Sequence, residues 1–224
     1  MANRTCVTLA ESSPAKLRSS LTKALRRSDY VELRFDFMEP SKVPLALSLS
    51  KKDMKKCICA LRPKSGGGKF SGSEKNRLSI LKLIAEYDPY LLDVEYSTIK
   101  KNKDLRQYLK RAKTNLLVSW HDFKKTPNSN SLKNMLNKMS KFSRNIKIVT
   151  TAKSIADAMK VLSLYKDLPK DSKLIAFAMG DYGRMSRILC THIGSPYTYV
   201  SLGKPVAPGQ FSLDEVKSIF KLKK

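Results

Sequence analysis

One lysine in this sequence lies where a charged side chain is least expected. Lys147 stands in the middle of the stretch NIKIVTT at residues 145–151, whose β-branched residues predict a buried strand. A lysine there must extend its stem to water, find a partner or lose its proton. Burial disfavours the charged form, and a neutral amine is a nucleophile that attacks carbonyl carbons to form an imine. A protonated imine then accepts the electrons released when the adjacent carbon loses a proton.

Other polar residues follow at the ends of further apolar runs, where a barrel of parallel strands places its functional face. They are Glu32, Arg34 and Asp36, spaced by two and so expected on one face; Arg62; Asp93 and Glu95; His121; Arg187; and Gln210. A histidine near the lysine could move a proton on and off the carbon beside the imine. Arginines could hold a carboxylate. These residue types predict a Schiff-base lyase or an aldolase that acts on a small anionic ketone.

Each of these residues also has a purely structural interpretation. The charged residues of the second predicted strand could form an ion-pair ladder, and Asp93 and Glu95 could neutralise neighbouring arginines. His121 could be hydrogen-bonded at the end of a strand, and the second histidine, His192, is interpreted as structural because it lies near a helix end. The segment KSGGGKFSGS at residues 64–73 lacks the spacing of a phosphate loop, so we interpret it as a flexible connection between a strand and a helix.

Short apolar runs alternate with amphipathic stretches from one end of the chain to the other. The predicted strands are 5–10, 30–36, 57–63, 90–96, 115–121, 146–151, 174–179 and 197–202. Helical patterns lie between them, with Ser73 and Ser154 as expected N-caps and the segment SKVPLALSLSKKD as the weakest helix. This alternation predicts an α/β protein, a single-domain (β/α)8 TIM barrel over residues 1–224. A doubly wound open sheet is the alternative, although the first predicted strand is not followed by a glycine-rich turn.

The composition limits the class of protein. The chain has 224 residues, of which 42% are hydrophobic, and its formal net charge is +25, from 44 Lys and Arg against 19 Asp and Glu. No apolar run approaches the ~20 residues that span a bilayer, and the first residues lack a signal peptide, so we expect a cytoplasmic protein without membrane partners. The four cysteines lack metal-site spacing and are expected to be reduced and mostly buried. The positive charge is spread along the chain without interleaved aromatic residues, which argues against nucleic-acid binding but would favour anionic ligands.

Eight motifs occur in an order, and at strand ends, that are typical of one enzyme family. They are ELRFD, LRPKSGGG, DVE, SWHDFKKTP, KIVTTAKS, MGDYGRMSR, GSPYTYVSLG and APGQ. Over nearly its whole length the sequence resembles the type I 3-dehydroquinate dehydratases. The resemblance implies a TIM barrel that dehydrates 3-dehydroquinate to 3-dehydroshikimate in the shikimate pathway. It implies no metal and no organic cofactor, because the imine itself is the electron sink.

The resemblance also implies a role for each matching position. Lys147 would form the imine with the C3 ketone. His121 would remove a C2 proton, protonate the departing C1 hydroxyl, and help to form and hydrolyse the imine, while Arg187 would bind the substrate carboxylate. The other positions would bind hydroxyl groups and order the site: Thr8, Glu32, Arg34, Arg62 and Gln210. The segment LGKPVAPGQ would form the loop that closes over the site.

Two positions depart from the family pattern. Gly66 stands where the family often has a glutamate, and Val206 stands where it commonly has a serine. Neither position is Lys147 or His121, so we expect activity, with any effect confined to substrate affinity. The family implies a homodimer, although no segment of the sequence fixes an interface. Two alternatives stay open, namely another class I aldolase or lyase on the same barrel and a basic protein that binds polyanions.

Overall fold

The computed structural model describes residues 4–222. Residues 1–3, which belong to the N-terminal segment that lacks a signal-peptide pattern, and the last two lysines lie outside the described residues. The chain forms two compact units. One comprises Thr8–Leu117, and the other comprises the residues up to Val7 together with those from Val118 onward.

The strands follow the predicted succession, with shorter bounds in most cases. They are β1 (Thr5–Leu9), β2 (Tyr30–Arg34), β3 (Cys57–Ala60), β4 (Leu91–Glu95), β5 (Leu116–His121), β6 (Asn145–Thr151), β7 (Lys173–Met179) and β8 (Thr198–Val200). Their order in the sheet is β7-β6-β5-β4-β3-β2-β1-β8. Strand β8 returns to pair in parallel with β1, with Thr5 opposite Thr198. Since this order has no reversal, it lacks the switch point of a doubly wound sheet, and the predicted (β/α)8 TIM barrel is confirmed as the fold class.

Helices separate the strands, and capping residues fix where several of them begin. They are α1 (Pro14–Leu25), α2 (Val43–Ser50), α3 (Glu74–Glu86), α4 (Tyr96–Lys101), α5 (Lys103–Arg111), α6 (Ser129–Ser140), α7 (Ile155–Leu162), α8 (Ser186–His192) and α9 (Leu213–Lys221). Ser73 accepts a hydrogen bond from the backbone N–H of Asn76, and Ser154 accepts one from that of Asp157. Each serine therefore replaces a partner that the first turn of its helix lacks, as predicted for both N-caps.

The strands are buried as a parallel sheet covered on both faces requires. Every residue of β1, β3, β4 and β8 is buried. The four cysteines are buried free thiols, which confirms the prediction made from their spacing. Among the described residues, no helix has both the length and the apolar character that crossing a membrane requires.

The prediction that the second strand extends to Asp36 is wrong. Strand β2 ends at Arg34, and residues Phe35–Phe37 form a 3-10 turn. The Asp36 carboxylate accepts two hydrogen bonds from the Arg34 guanidinium, each 2.8 Å long, and a third of 3.0 Å from the backbone N–H of Lys69. These bonds hold Asp36 in the turn, so it does not share a strand face with Glu32 and Arg34.

A buried arginine that the sequence analysis did not identify joins α3 to the ends of two strands. Arg77 is in α3, and its side chain is only 1% exposed. Its guanidinium donates to the Leu61 carbonyl oxygen at 3.1 Å and to a Glu95 carboxylate oxygen at 3.0 Å. It also donates to the Thr98 hydroxyl at 2.7 Å and to Glu74 at 2.8 and 2.9 Å. Arg77 therefore fixes both the segment after β3 and the last residue of β4.

We expect Arg77→Ala to lower the free energy of unfolding by about 3–5 kcal/mol, because it removes one partner of the buried Glu95 carboxylate. Lys75→Ala is the matched control, since it removes one positive charge from an exposed position of the same helix. The control should change stability by no more than about 0.5 kcal/mol. Urea denaturation followed by circular dichroism measures both values. Equal effects of the two substitutions would contradict a stabilising role for the Arg77 contacts.

Candidate active site

Lys147 is the third residue of β6 and is 5% exposed. Its neighbours Ile146 and Ile148 are fully buried. The Nζ atom lies over the ring of Tyr199 on β8, 4.0 Å from the ring centroid. The electron-rich face of the ring attracts a cation, and removal from water strengthens this attraction. Of the three outcomes expected for this lysine, the structure therefore shows an aromatic partner and not an exposed amine.

A second aromatic ring connects Tyr199 to the arginine at position 187. Phe177 of β7 is tilted by 59° against Tyr199, with a centroid separation of 6.4 Å. The guanidinium carbon of Arg187 lies 4.3 Å from the centroid of the Phe177 ring. All four side chains are buried to at least nineteen-twentieths of their surface. The predicted imine-forming lysine and the predicted carboxylate-binding arginine thus belong to one cluster, in which each cation lies on an aromatic face.

Arg187 keeps hydrogen-bonding capacity that its surroundings do not use. One terminal nitrogen donates to the Pro208 carbonyl oxygen at 2.9 Å, but the buried Nε has no hydrogen-bond partner among residues 4–222. No carboxylate of the described residues forms a salt bridge with it, and burial lowers the pKa of Arg187 to about 10. A buried cation with an unused donor is costly unless an anion completes its hydrogen bonds. The geometry therefore favours a bound carboxylate or another oxyanion at this position.

His121 is the last residue of β5 and is half-buried. Its ring stacks on Phe123, with centroids 5.6 Å apart and planes 7° from parallel. The loop that follows His121 is bonded to the end of β6. The Asp122 backbone N–H donates to the Val149 carbonyl at 2.9 Å, and the Thr151 hydroxyl donates to the Asp122 carbonyl at 3.0 Å. These bonds fix the histidine segment against the strand that carries the predicted nucleophile.

Gln210 lies in the segment between β8 and α9 and is 5% exposed. Its side-chain oxygen accepts a hydrogen bond of 2.8 Å from the backbone N–H of Val206. This bond uses the main chain of Val206, so the valine that replaces a family serine still holds Gln210. Arg187 donates to the Pro208 carbonyl oxygen in the same segment. The main chain of this segment is therefore bonded to two predicted site residues, Arg187 and Gln210.

The unit Thr8–Leu117 carries the remaining predicted residues. The Thr8 hydroxyl donates to the Glu32 carboxylate at 3.2 Å. Arg62 donates to Asp93 at 2.7 Å, and its other terminal nitrogen lies 3.8 Å from Glu95. Burial alone would lower the pKa of Arg62, but four nearby carboxylates, Asp93 and Glu95 foremost among them, together raise it. The interpretation that Asp93 and Glu95 neutralise an arginine is thus confirmed.

The glycines after β3 allow the chain to pass close to Arg62. A Cβ atom on Gly68 would lie 2.0 Å from the Arg62 carbonyl oxygen, so no side chain fits there. A Cβ on Gly66 would meet Arg62 and Glu95 at 3.5 Å, which is an ordinary contact. A side chain is therefore tolerated at position 66 but not at position 68. The departure from the family at Gly66 removes a side chain that the backbone could accommodate.

Each unit brings together some of the predicted site residues. The unit that contains β6 holds His121, Lys147, Arg187 and Gln210, and the other unit holds Thr8, Glu32, Arg34 and Arg62. Arg77, Phe177 and Tyr199 were not predicted from the sequence as functional residues. The signal for Arg77 was its place in the apolar stripe of α3, three and four residues before Ile80 and Leu81. The two aromatic residues gave no such signal, because an aromatic residue in a buried strand is ordinary core.

Comparisons with known proteins agree on one family. A sequence model described as type I 3-dehydroquinase matches residues 5–224. A 3-dehydroquinate dehydratase of Dehalococcoides mccartyi is 40% identical over 207 residues, which cover 89% of each chain. One of Methanocaldococcus jannaschii is 31% identical over an alignment of 225 positions, gaps included, that covers 97% of each chain. A crystal structure of the Geobacillus kaustophilus 3-dehydroquinate dehydratase has a TM-score of 0.89 and 21% identity, covering 99% of this chain and 91% of that chain.

The structural match has low identity and supports the (β/α)8 fold alone. The family match extends over nearly the whole chain and includes the motifs around His121, Lys147 and Arg187. The two relatives exceed 30% identity over most of their length and of this chain. The chain therefore belongs to the type I 3-dehydroquinase family.

Proposed function

We propose that Lys147 and His121 carry out the Schiff-base dehydration of 3-dehydroquinate that characterises this family. The observation that carries the proposal is one cluster in the unit containing β6. In it, a buried amine and a buried guanidinium without a carboxylate partner among residues 4–222 are joined through two aromatic rings. An amine is suited to a ketone and a guanidinium to a carboxylate. 3-Dehydroquinate carries both a ketone and a carboxylate.

The first chemical step forms a bond between the Lys147 Nζ atom and C3 of the substrate. The C3 carbonyl oxygen takes up one proton from the amine and one from a general acid and leaves as water, so the nitrogen becomes a cationic imine. Its positive charge withdraws electrons from the adjacent C2–H bond, so the C2 proton becomes acidic enough for a neutral histidine to remove. The resulting enamine is neutral, because the electrons of the broken bond have moved toward the nitrogen.

His121 is proposed as the group that moves this proton. As a base, it takes the proton from C2 and becomes an imidazolium. It then gives the proton to the C1 hydroxyl, which leaves as water while the enamine electrons return to form the C1–C2 double bond. Hydrolysis of the imine releases 3-dehydroshikimate and restores the lysine, so the net change is the loss of one water molecule.

The remaining predicted residues are proposed to hold the substrate. Arg187 binds the carboxylate through its unused donor, and Gln210 contacts a hydroxyl while its own oxygen stays bonded to Val206. The residues of the other unit are proposed to bind hydroxyls: Thr8, Glu32, Arg34 and Arg62. Thr8 is hydrogen-bonded to Glu32, Arg34 is paired with Asp36, and Arg62 is paired with Asp93. The homodimer, the cytoplasmic location, the single domain and the absence of nucleic-acid binding stay predictions from the sequence.

Borohydride added with 3-dehydroquinate should reduce the imine and label the peptide that contains Lys147. Lys147→Ala should remove the label and lower kcat by at least about 10³-fold, because acid–base catalysis alone cannot supply the electron sink. Lys173→Ala, at the exposed first position of the neighbouring strand β7, should leave label and turnover unchanged. Peptide mass mapping and an assay of enone absorbance measure the two effects. A label on another lysine would contradict the assignment.

His121→Ala should still form a covalent adduct while its turnover falls by at least ~10²-fold, the low end for general acid–base catalysis. The reason is that imine formation can exchange protons slowly with water, whereas removal of the C2 proton needs a positioned base. Intact-protein mass spectrometry with borohydride reports the adduct. His192→Ala is the control, since the chain has two histidines and this one bonds to the Ile188 carbonyl in α8. Near-normal turnover of His121→Ala would place the base elsewhere.

Arg187→Ala should raise KM and lower kcat, because a misplaced carboxylate moves the reacting carbons out of alignment. Loss of a charge-assisted contact should reduce kcat/KM by ~30- to 200-fold, on the order of 2–3 kcal/mol. Arg184→Ala is the matched control, because it removes an arginine whose side chain is 44% exposed and paired with Glu215. Steady-state kinetics of both variants make the comparison. Full activity of Arg187→Ala would reject the proposed role.

A further inference from the structure

Two aromatic side chains lie against the two cations of the cluster that contains Lys147. Tyr199 contacts the Lys147 Nζ atom, and Phe177 contacts the Arg187 guanidinium, at 4.0 and 4.3 Å from the respective ring centroids. The two rings also contact each other. Tyr199 is supported on another side by Tyr197, which is fully buried and packs edge-on at 5.5 Å. The rings are therefore held in place by strands β7 and β8, so they provide fixed surfaces for both cations.

The charge on the lysine nitrogen alternates during an imine reaction. It is positive in an ammonium, zero in the amine that attacks the ketone, positive in the iminium, and zero in the enamine. An aromatic face stabilises only the positive states, and this effect is larger in a buried site than in water. Because the Tyr199 ring contacts the reacting nitrogen itself, it stabilises the iminium relative to the neutral carbinolamine from which the iminium forms. It thereby raises the fraction of bound substrate from which the C2 proton can leave.

We propose that Tyr199 and Phe177 are additional active-site residues with separate tasks, an inference that rests on the proposed Schiff-base function. Tyr199 positions the Lys147 nitrogen and stabilises the cationic imine through its ring face. Phe177 covers one face of the Arg187 guanidinium, which leaves the guanidinium edge to bind the carboxylate. The contact between the two rings fixes the position of the imine nitrogen relative to the carboxylate site.

The two tasks have different kinetic signatures. Tyr199 contacts the Lys147 nitrogen before the substrate binds, but the charge that it stabilises during turnover is that of the imine, which forms only in the bound complex. Its loss should therefore lower kcat and leave KM nearly unchanged. Phe177 acts on the residue that holds the substrate carboxylate, so its loss should mainly raise KM. A ring with only a structural role would change both constants together, or would change stability alone.

The test compares three side chains at position 199. Tyr199→Phe keeps the aromatic face and should retain kcat within about 3-fold of the unsubstituted enzyme. Tyr199→Leu should lower kcat by about 5- to 30-fold, the range for a buried cation–π contact. Pentafluorophenylalanine introduced at position 199 keeps the shape of the ring but removes the negative charge of its face, and it should behave like leucine. The fluorinated variant keeps the test decisive if Tyr199→Leu fails to fold.

Phe177→Leu completes the experiment and should raise KM by about 5- to 30-fold with kcat within about 3-fold. The amount of borohydride-trapped adduct at saturating substrate should fall in Tyr199→Leu and in the fluorinated variant, but not in Phe177→Leu. Equal kcat for phenylalanine and pentafluorophenylalanine at position 199 would overturn the role of the ring face. Equal effects on KM from both positions would overturn the separation of tasks.

Lys147→Ala, measured in parallel, distinguishes failure of the proposed function from failure of the role assigned to Tyr199. Adduct formation in Lys147→Ala would refute the proposed function and with it this inference. Loss of the adduct in Lys147→Ala, together with unchanged kinetics in all position-199 variants, would refute the role of Tyr199 and leave the proposed function intact.

Discussion

The structure depends on how buried positive charge is stabilised after water has been removed. Taking an ion out of water costs several kcal/mol even after the protein relaxes, so each buried cation needs a replacement for its hydration. In the unit Thr8–Leu117 the replacements are carboxylates: Asp93 and Glu95 for Arg62, and Glu74 and Glu95 for Arg77. In the unit that contains β6, Lys147 and Arg187 lie on aromatic faces.

This difference has a chemical consequence. An arginine paired with a buried carboxylate is already neutralised and fixed, which suits the orientation of hydroxyl groups. A cation on an aromatic ring keeps its net charge, so it can still attract an anion or carry the charge of an intermediate. The same pairing acts on Glu95. Burial raises the pKa of this carboxyl group, and the charges of Arg62 and Arg77 oppose that effect. The two kinds of partner therefore divide the buried cations into those neutralised by a carboxylate, Arg62 and Arg77, and those that keep their net charge, Lys147 and Arg187.

The two departures from the family pattern, Val206 and Gly66, are both compatible with the contacts of the surrounding main chain. At Val206 the backbone N–H holds Gln210, so loss of a serine hydroxyl does not release that glutamine. At Gly66 the backbone leaves room for a Cβ beside Arg62 and Glu95. Glu95 already contacts Arg62 and Arg77. The chain as a whole carries a formal net charge of +25, from 44 Lys and Arg against 19 Asp and Glu. This positive charge favours an anionic substrate.

The sequence by itself determined the succession of strands and helices, the fold class and the family. It did so because burial on both faces forces apolar runs, and because serine caps and charged strand ends are local signals. Lys147 was identifiable from the same local pattern, since a charged side chain is unexpected within an apolar run. The sequence also raised the possibility that Asp93 and Glu95 neutralise neighbouring arginines, although it did not show that these are Arg62 and Arg77.

Only the tertiary structure decided which partners the buried cations have. The ring beneath Lys147 comes from a residue 52 positions away, and nothing in YTYV distinguishes Tyr199 from core. The turn that removes Asp36 from β2 depends on the Lys69 backbone N–H, which also lies far along the chain. Local pattern reports whether a side chain is buried, whereas contacts between distant segments decide what it is buried against. For a buried charge, those contacts determine whether a carboxylate neutralises it or an aromatic ring leaves its net charge in place.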